Sequence, residues 1–187
     1  MKTTDLKKLN PCESGYKFAK SKNSLLEAWN TCERGDWMLW FAQKLDCPLQ
    51  LLTLAKATCA ETVIHLMRDE RSRNAIKVAI DFGNGIATRE ELYAAASASA
   101  ASYAAAANAY AADADAANAA SYAAANAYAA DADAANAAAN AASYAASYAA
   151  AANADADADA AAAKKENQLK TANICREILT DFIKSKL

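Results

Sequence analysis

Glycine and proline are scarce, four and two in 187 residues, and neither occurs beyond Gly85. The second half of the chain therefore has no residue that supplies an easy left-handed turn or removes a backbone donor. Histidine is almost missing: His65 is the only one, which excludes a histidine-rich metal site, and a core or boundary position is expected for it. The five cysteines, Cys12, Cys32, Cys47, Cys59 and Cys175, are odd in number and contain no CxxC pair. With no apolar signal segment in MKTTDLKKLN, reduced thiols in a cytoplasmic protein are expected. Long apolar runs are lacking as well, because Asn or Asp interrupts the alanine-rich stretch every few residues, so no membrane span is expected. Basic residues are absent from 94–163, which hold seven Asp. No basic stripe runs through the chain, and a nucleic-acid partner is not expected.

What fills the space is alanine. Thr88 to Glu91 reads T-x-x-E, a capping box that opens a helix. Alanine, the strongest helix former, dominates from there to residue 163. A continuous helix from Arg89 to Lys186 would be on the order of 145 Å long at 1.5 Å per residue. A compact domain of this size has a radius of gyration of about 16 Å. The tract must therefore fold back on itself, with corners expected at the Asp/Asn clusters 113–118, 131–140 and 153–159. It is also a low-complexity repeat: Asn108 to Asn118 recurs as Asn126 to Asn136, an offset of 18 residues. That offset is about five helical turns. It fits either a continuous face or one structural unit containing a corner. Small alanine side chains allow close helix approach, and the interspersed tyrosines supply bulk.

The first half has ordinary helical patterning. Residues 1–22, with Pro11 and Gly15, are expected to be irregular, and 23–87 to form short helices. Ser24 is the expected cap of a helix ending near Cys32 and closed by Gly35, and Asp36 the cap of the next. Pro48 precedes an apolar stripe running to about Arg71, Ser72 caps a further helix, and Gly83 and Gly85 stop it. Residues 164–187 form a terminal amphipathic helix with a stripe of Leu169, Ala172, Cys175, Ile178, Leu179, Phe182 and Ile183. The fold class expected is all-α: a single-domain multi-helix bundle with alanine-rich, closely packed antiparallel helices.

Three clusters invite a chemical reading. The Asp155-Ala-Asp157-Ala-Asp159 run lacks the Gly and Glu of a calcium loop and reads as a solvated face or a turn. The cysteines lack a same-face histidine or other base, so no catalytic residue is assigned and no cofactor or metal is expected. The segment Trp29 to Trp40 is richest. Trp29, Trp37 and Trp40 lie around a turn holding Arg34 and Asp36, and Trp and Arg dominate binding hot spots. The alternative is a tryptophan-anchored core in which Arg34 is paired to an acid.

The runs Pro11-Cys12-Glu13-Ser14-Gly15, AWNTCERGDWMLWFAQKLD and AIDFGNGIATREELYAAA, then the Ala/Tyr/Ser tract and KKENQLKTANICREIL, resemble in order the bacterial immunity proteins of the Imm-5-like group. Cys32 to Trp40 is the most specific part. The resemblance implies an all-α protein that neutralises a toxin by binding, with Arg34, Asp36, Trp37 and Trp40 at the positions matching the family motif. A non-catalytic binding protein with a protein partner follows. An acidic face at Asp113, Asp115, Asp131 and Asp133 would suit a basic toxin and make association salt-sensitive. Two alternatives stand beside it. One is a small-ligand or nucleotide-binding helical module with its pocket at the Trp29–Trp40 joint and Arg34 as anion contact. The other is a structural protein whose alanine faces mediate assembly.

Overall fold

The computed structural model describes residues 1, 3–66, 70–106 and 157–187. Among these the regular structure is helical throughout. A 3-10 segment (Thr3–Leu9) leads into α1 (Glu13–Lys20), α2 (Leu25–Thr31), α3 (Gly35–Lys44) and α4 (Leu49–Glu61). After a 3-10 turn (Ile64–Leu66) come α5 (Glu70–Gly83), α6 (Arg89–Ala106) and the 30-residue α7 (Asp157–Lys186). The all-α multi-helix bundle expected from the sequence is what forms. No helix among the described residues is long and apolar enough to cross a membrane.

Local signals explain most helix starts. Ser24 Oγ accepts from the Glu27 N–H at 3.0 Å. The Thr88 box is reciprocal: the Glu91 N–H donates to Thr88 Oγ1 (3.2 Å), and Glu91 Oε2 accepts from the Thr88 N–H (2.7 Å). That second bond holds the Glu91 carboxyl below its ordinary range. Gly85 ends the α5 exit in the left-handed region, φ 75°.

Other expectations need correction. Residues 1–22 are not irregular. Cys12 accepts a weak hydrogen bond from the Gly15 N–H (3.4 Å to Sγ), capping α1, with Pro11 just outside it. Asp36 does not cap α3; the N-cap position is Arg34, without a side-chain bond, and Gly35 is the first helical residue rather than the end of α2. The stripe from Leu49 breaks at Glu61, and α5 begins at Glu70, so Ser72 lies inside it, fully buried. Among the described side chains of α7 the buried ones are Asn167, Thr171, Ala172, Cys175, Leu179 and Ile183, mainly one i+4 ridge, while Leu169 is 42% exposed. His65 is exposed. The proposed corners up to residue 156, the repeat, and Asp113, Asp115, Asp131 and Asp133 lie outside the described residues.

Two packed layers result. α7 lies against α3 and α4, and α2 touches it; on the other side α4 packs on α5, which packs on α6. The first layer is built from large side chains, including Trp29, Met38, Leu39, Phe41, Leu179 and Ile183. The second is built from Ala57, Ala75, Ala79, Ala95 and Ala96, with Phe82 and Leu92. α4 serves both, so it is buried on nearly every side, and even Lys56 is only 1% exposed.

Two glycines permit the closest crossings. A Cβ on Gly35 would fall 2.5 Å from Thr171 Oγ1 and 2.8 Å from the Thr171 backbone carbon. One on Gly83 would fall 2.8 Å from Leu54 Cα. Gly35 thus sets how near α3 comes to α7, and Gly83 how near α5 comes to α4.

Candidate functional site

The turn between α2 and α3 is held from three sides. Arg34 Nε and Nη2 donate to the two oxygens of Asp36 at 2.8 and 2.5 Å, a forked pair. The Asp36 side chain is 5% exposed and that of Arg34 is 34% exposed. The bond to Asp36 raises the Arg34 pKa above its ordinary value, against the opposing effect of burial. The Arg34 guanidinium also lies 4.7 Å from the centre of the Trp37 ring, a cation–π contact. From the far end of the chain, Arg176 Nη1 donates to the Cys32 carbonyl at 2.6 Å, and its Nη2 donates to Asn173 Oδ1. A cation there satisfies the C-terminal end of α2.

The sulfurs behind this turn are quiet. Cys175 Sγ donates to the Gly35 carbonyl (3.7 Å) and Cys59 Sγ to the Thr171 carbonyl (3.7 Å). A hydrogen bond with Cys59, then burial, push the Cys175 thiol well above its usual range. Burial also raises the Cys32 thiol, and it pushes Cys47 up to about 12. Neutral thiols are poor nucleophiles and poor metal ligands. No group of three or more His, Cys, Asp or Glu side chains among the described residues is arranged to hold a metal ion.

In front of the turn lies a cleft of about 340 Å³. Its walls come from four elements: Leu6 of the 3-10 segment, Phe18 of α1, Leu25 and Trp29 of α2, and Trp37, Met38, Trp40 and Phe41 of α3. Two of the walls are fixed from behind. Trp29 is 3% exposed, its indole N–H donates to Thr180 Oγ1 on α7 (2.9 Å), and its ring tilts against Phe41 with centroids 6.4 Å apart. Trp37 packs on Phe18 at 6.0 Å and on Gly15. The polar lining is limited to Asn10, Cys12 and Cys32. Asn10 stands at the rim in the left-handed conformation, φ 55°, which asparagine tolerates better than most residues.

Of the residues singled out from sequence, the structure brings Trp29, Trp37 and Trp40 together on one cleft and leaves Arg34 and Asp36 just outside its lining. Arg34 is committed to Asp36 and Trp37, so it buttresses the wall. The core reading of the joint is what the structure displays, with the tryptophans packed in or against the core and Arg34 paired to an acid; a cleft lies between the tryptophans. The α1 wall, Thr180 and Arg176 escaped sequence reasoning. No spacing links residue 29 to 180 or 32 to 176. The capping role of Cys12 was the one local signal that could have marked α1.

Compared with known proteins, the chain matches no family model, no curated protein and no solved structure.

Proposed function

We propose that this chain is a non-catalytic binding protein whose recognition element is the tryptophan-lined cleft between α1, α2 and α3. One observation carries this: a cleft of about 340 Å³ opens between α1, α2 and α3, walled by three tryptophans from two helices. Apolar hollows with a few polar groups are where ligands and anchoring side chains bind. Among the described residues no nucleophile–base pair lines the cleft, and binding without turnover is the simplest use of it. The test is a titration of the full chain with the neutral fluorophore N-phenyl-1-naphthylamine. Emission should rise and saturate for the parent and weaken at least tenfold for Trp40→Ala with an unchanged far-ultraviolet spectrum. Equal binding by the two would remove the cleft from consideration.

A second reading, neutralisation of a partner toxin by occlusion, is favoured by a coincidence of position. Cys32 to Trp40, which most specifically resembles the Imm-5-like immunity proteins, is the segment that builds the cleft wall and its Arg34–Asp36 buttress. On this reading an apolar side chain of the toxin enters the cleft. Co-expression with the product of a neighbouring toxin gene tests it: protection should be lost in Trp40→Ala. Association that does not weaken between low and high salt would dispose of the acidic-face contribution.

A further inference from the structure

Three properties of the cleft specify what it can hold. The first is charge. Every lining residue is uncharged: apart from Asn10, Cys12 and Cys32 they are aliphatic, aromatic, proline or glycine. Two cations lie over lining rings: Arg34, 4.7 Å from the centre of Trp37, is neutralised by a forked bond to a nearly fully buried carboxylate, and Lys22 Nζ stands 5.0 Å from the centre of Phe18. The lining itself holds no charged group, so a charged ligand would lose hydration among apolar walls without a counter-ion inside them. The second is shape. Four aromatic walls besides Trp29 (Phe18, Trp37, Trp40 and Phe41) converge on a volume near the lower end of the roughly 300–1,000 Å³ typical of ligand sites. Flat rings fill such a space with the offset and edge contacts aromatic groups prefer. The third is polarity. Trp37 and Trp40 are half-buried, and among the described residues no protein acceptor meets their indole N–H groups, unlike that of Trp29; Asn10 is an exposed residue of the same lining. Indole nitrogen is a donor only, so the matching ligand group is an acceptor.

We infer that the cleft takes an uncharged small molecule of one or two fused rings carrying a hydrogen-bond acceptor, and that it excludes nucleotides and other anions. This rests on the binding-protein reading above and narrows it: an anion site at Arg34 is set aside, because its guanidinium is already occupied.

The experiment is competition on the full chain, with N-phenyl-1-naphthylamine as reporter. The competitors are 2-naphthol, 2-naphthoate, 1-naphthylmethylamine and AMP, at neutral pH and fixed salt. The neutral naphthol should displace the reporter at concentrations at least tenfold lower than the naphthoate anion, the naphthylmethylammonium cation or AMP. Displacement by the anion or by AMP within threefold of the naphthol overturns the inference and leaves the cleft a binding site. Failure of the reporter and of all competitors to bind overturns both. Because Trp37→Ala removes a packed side chain as well as a wall, the unmodified protein supplies a second readout. On adding 2-naphthol, the indole N–H resonances of Trp37 and Trp40 should move and that of Trp29 should stay. Movement of Trp29 alone would contradict the assignment.

Discussion

The two layers of this molecule bury themselves by opposite means. The layer of α2, α3 and α7 uses large side chains, so its energy resides in a few residues such as Trp29, Leu39 and Leu179. The layer of α5 and α6 uses alanines, so its energy is spread over many close backbone approaches. Burial contributes about 25 cal/mol per Å², and a methyl group offers little area, but alanine loses no side-chain entropy on burial. The consequence is structural. Large side chains meeting at angles leave gaps, and the cleft is one; alanine faces crossing at Gly83 leave little room. The large-residue layer can therefore hold a ligand, and the alanine layer acts as support.

That contrast can be broken by substitution. Trp29→Ala should cost about 3–5 kcal/mol in urea unfolding, as expected for removal of a buried indole. Next comes an asymmetry in the Arg34–Asp36 pair. Arg34→Ala strands a nearly fully buried carboxylate and should cost about 3 kcal/mol. Asp36→Ala leaves a guanidinium that can reach water and should cost about 2 kcal/mol. Equal costs would mean that Asp36 is better hydrated than its burial implies. In the alanine layer the sign of the sensitivity reverses: Ala79→Leu should lose about 1–3 kcal/mol by overpacking, and Ala79→Gly should cost less.

The contrast also predicts a pH dependence. Burial raises the thiols of Cys47 and Cys32 in the folded chain. Below the ordinary thiol value of 9.0 both folded and unfolded chains keep these protons, and the stabilisation is complete. Above it the unfolded chain ionises first, so stability should fall as pH rises from about 9 toward 12. Cys47→Ala should flatten that decline relative to the parent, and parallel declines would show that Cys47 is hydrated.

Much of the scaffold was legible in the sequence because capping is local. Ser24, Gly83, Gly85 and the Thr88–Glu91 box each act within four residues. Asp36 misled for an instructive reason: a carboxylate at a helix start can cap, but a neighbouring guanidinium competes and wins. Ser72 misled likewise, since a serine inside a helix and a serine at its cap look alike when the boundary is unknown. Leu169 looked like core, yet the i+4 ridge that meets Gly35 turns Thr171 inward and Leu169 out. At the site, the three tryptophans could be named from residue type alone. The cleft between them could not, since it depends on α1 arriving beside Trp37 and on α7 holding Trp29.

The most direct test of the division of labour is a matched pair of variants titrated with N-phenyl-1-naphthylamine. Trp40→Ala alters the cleft and leaves the alanine layer intact; Ala79→Leu does the reverse. Affinity at least tenfold weaker in Trp40→Ala and within twofold of the parent in Ala79→Leu is the predicted result. Loss of affinity in Ala79→Leu with Trp40→Ala unaffected would contradict it and move recognition to the alanine layer.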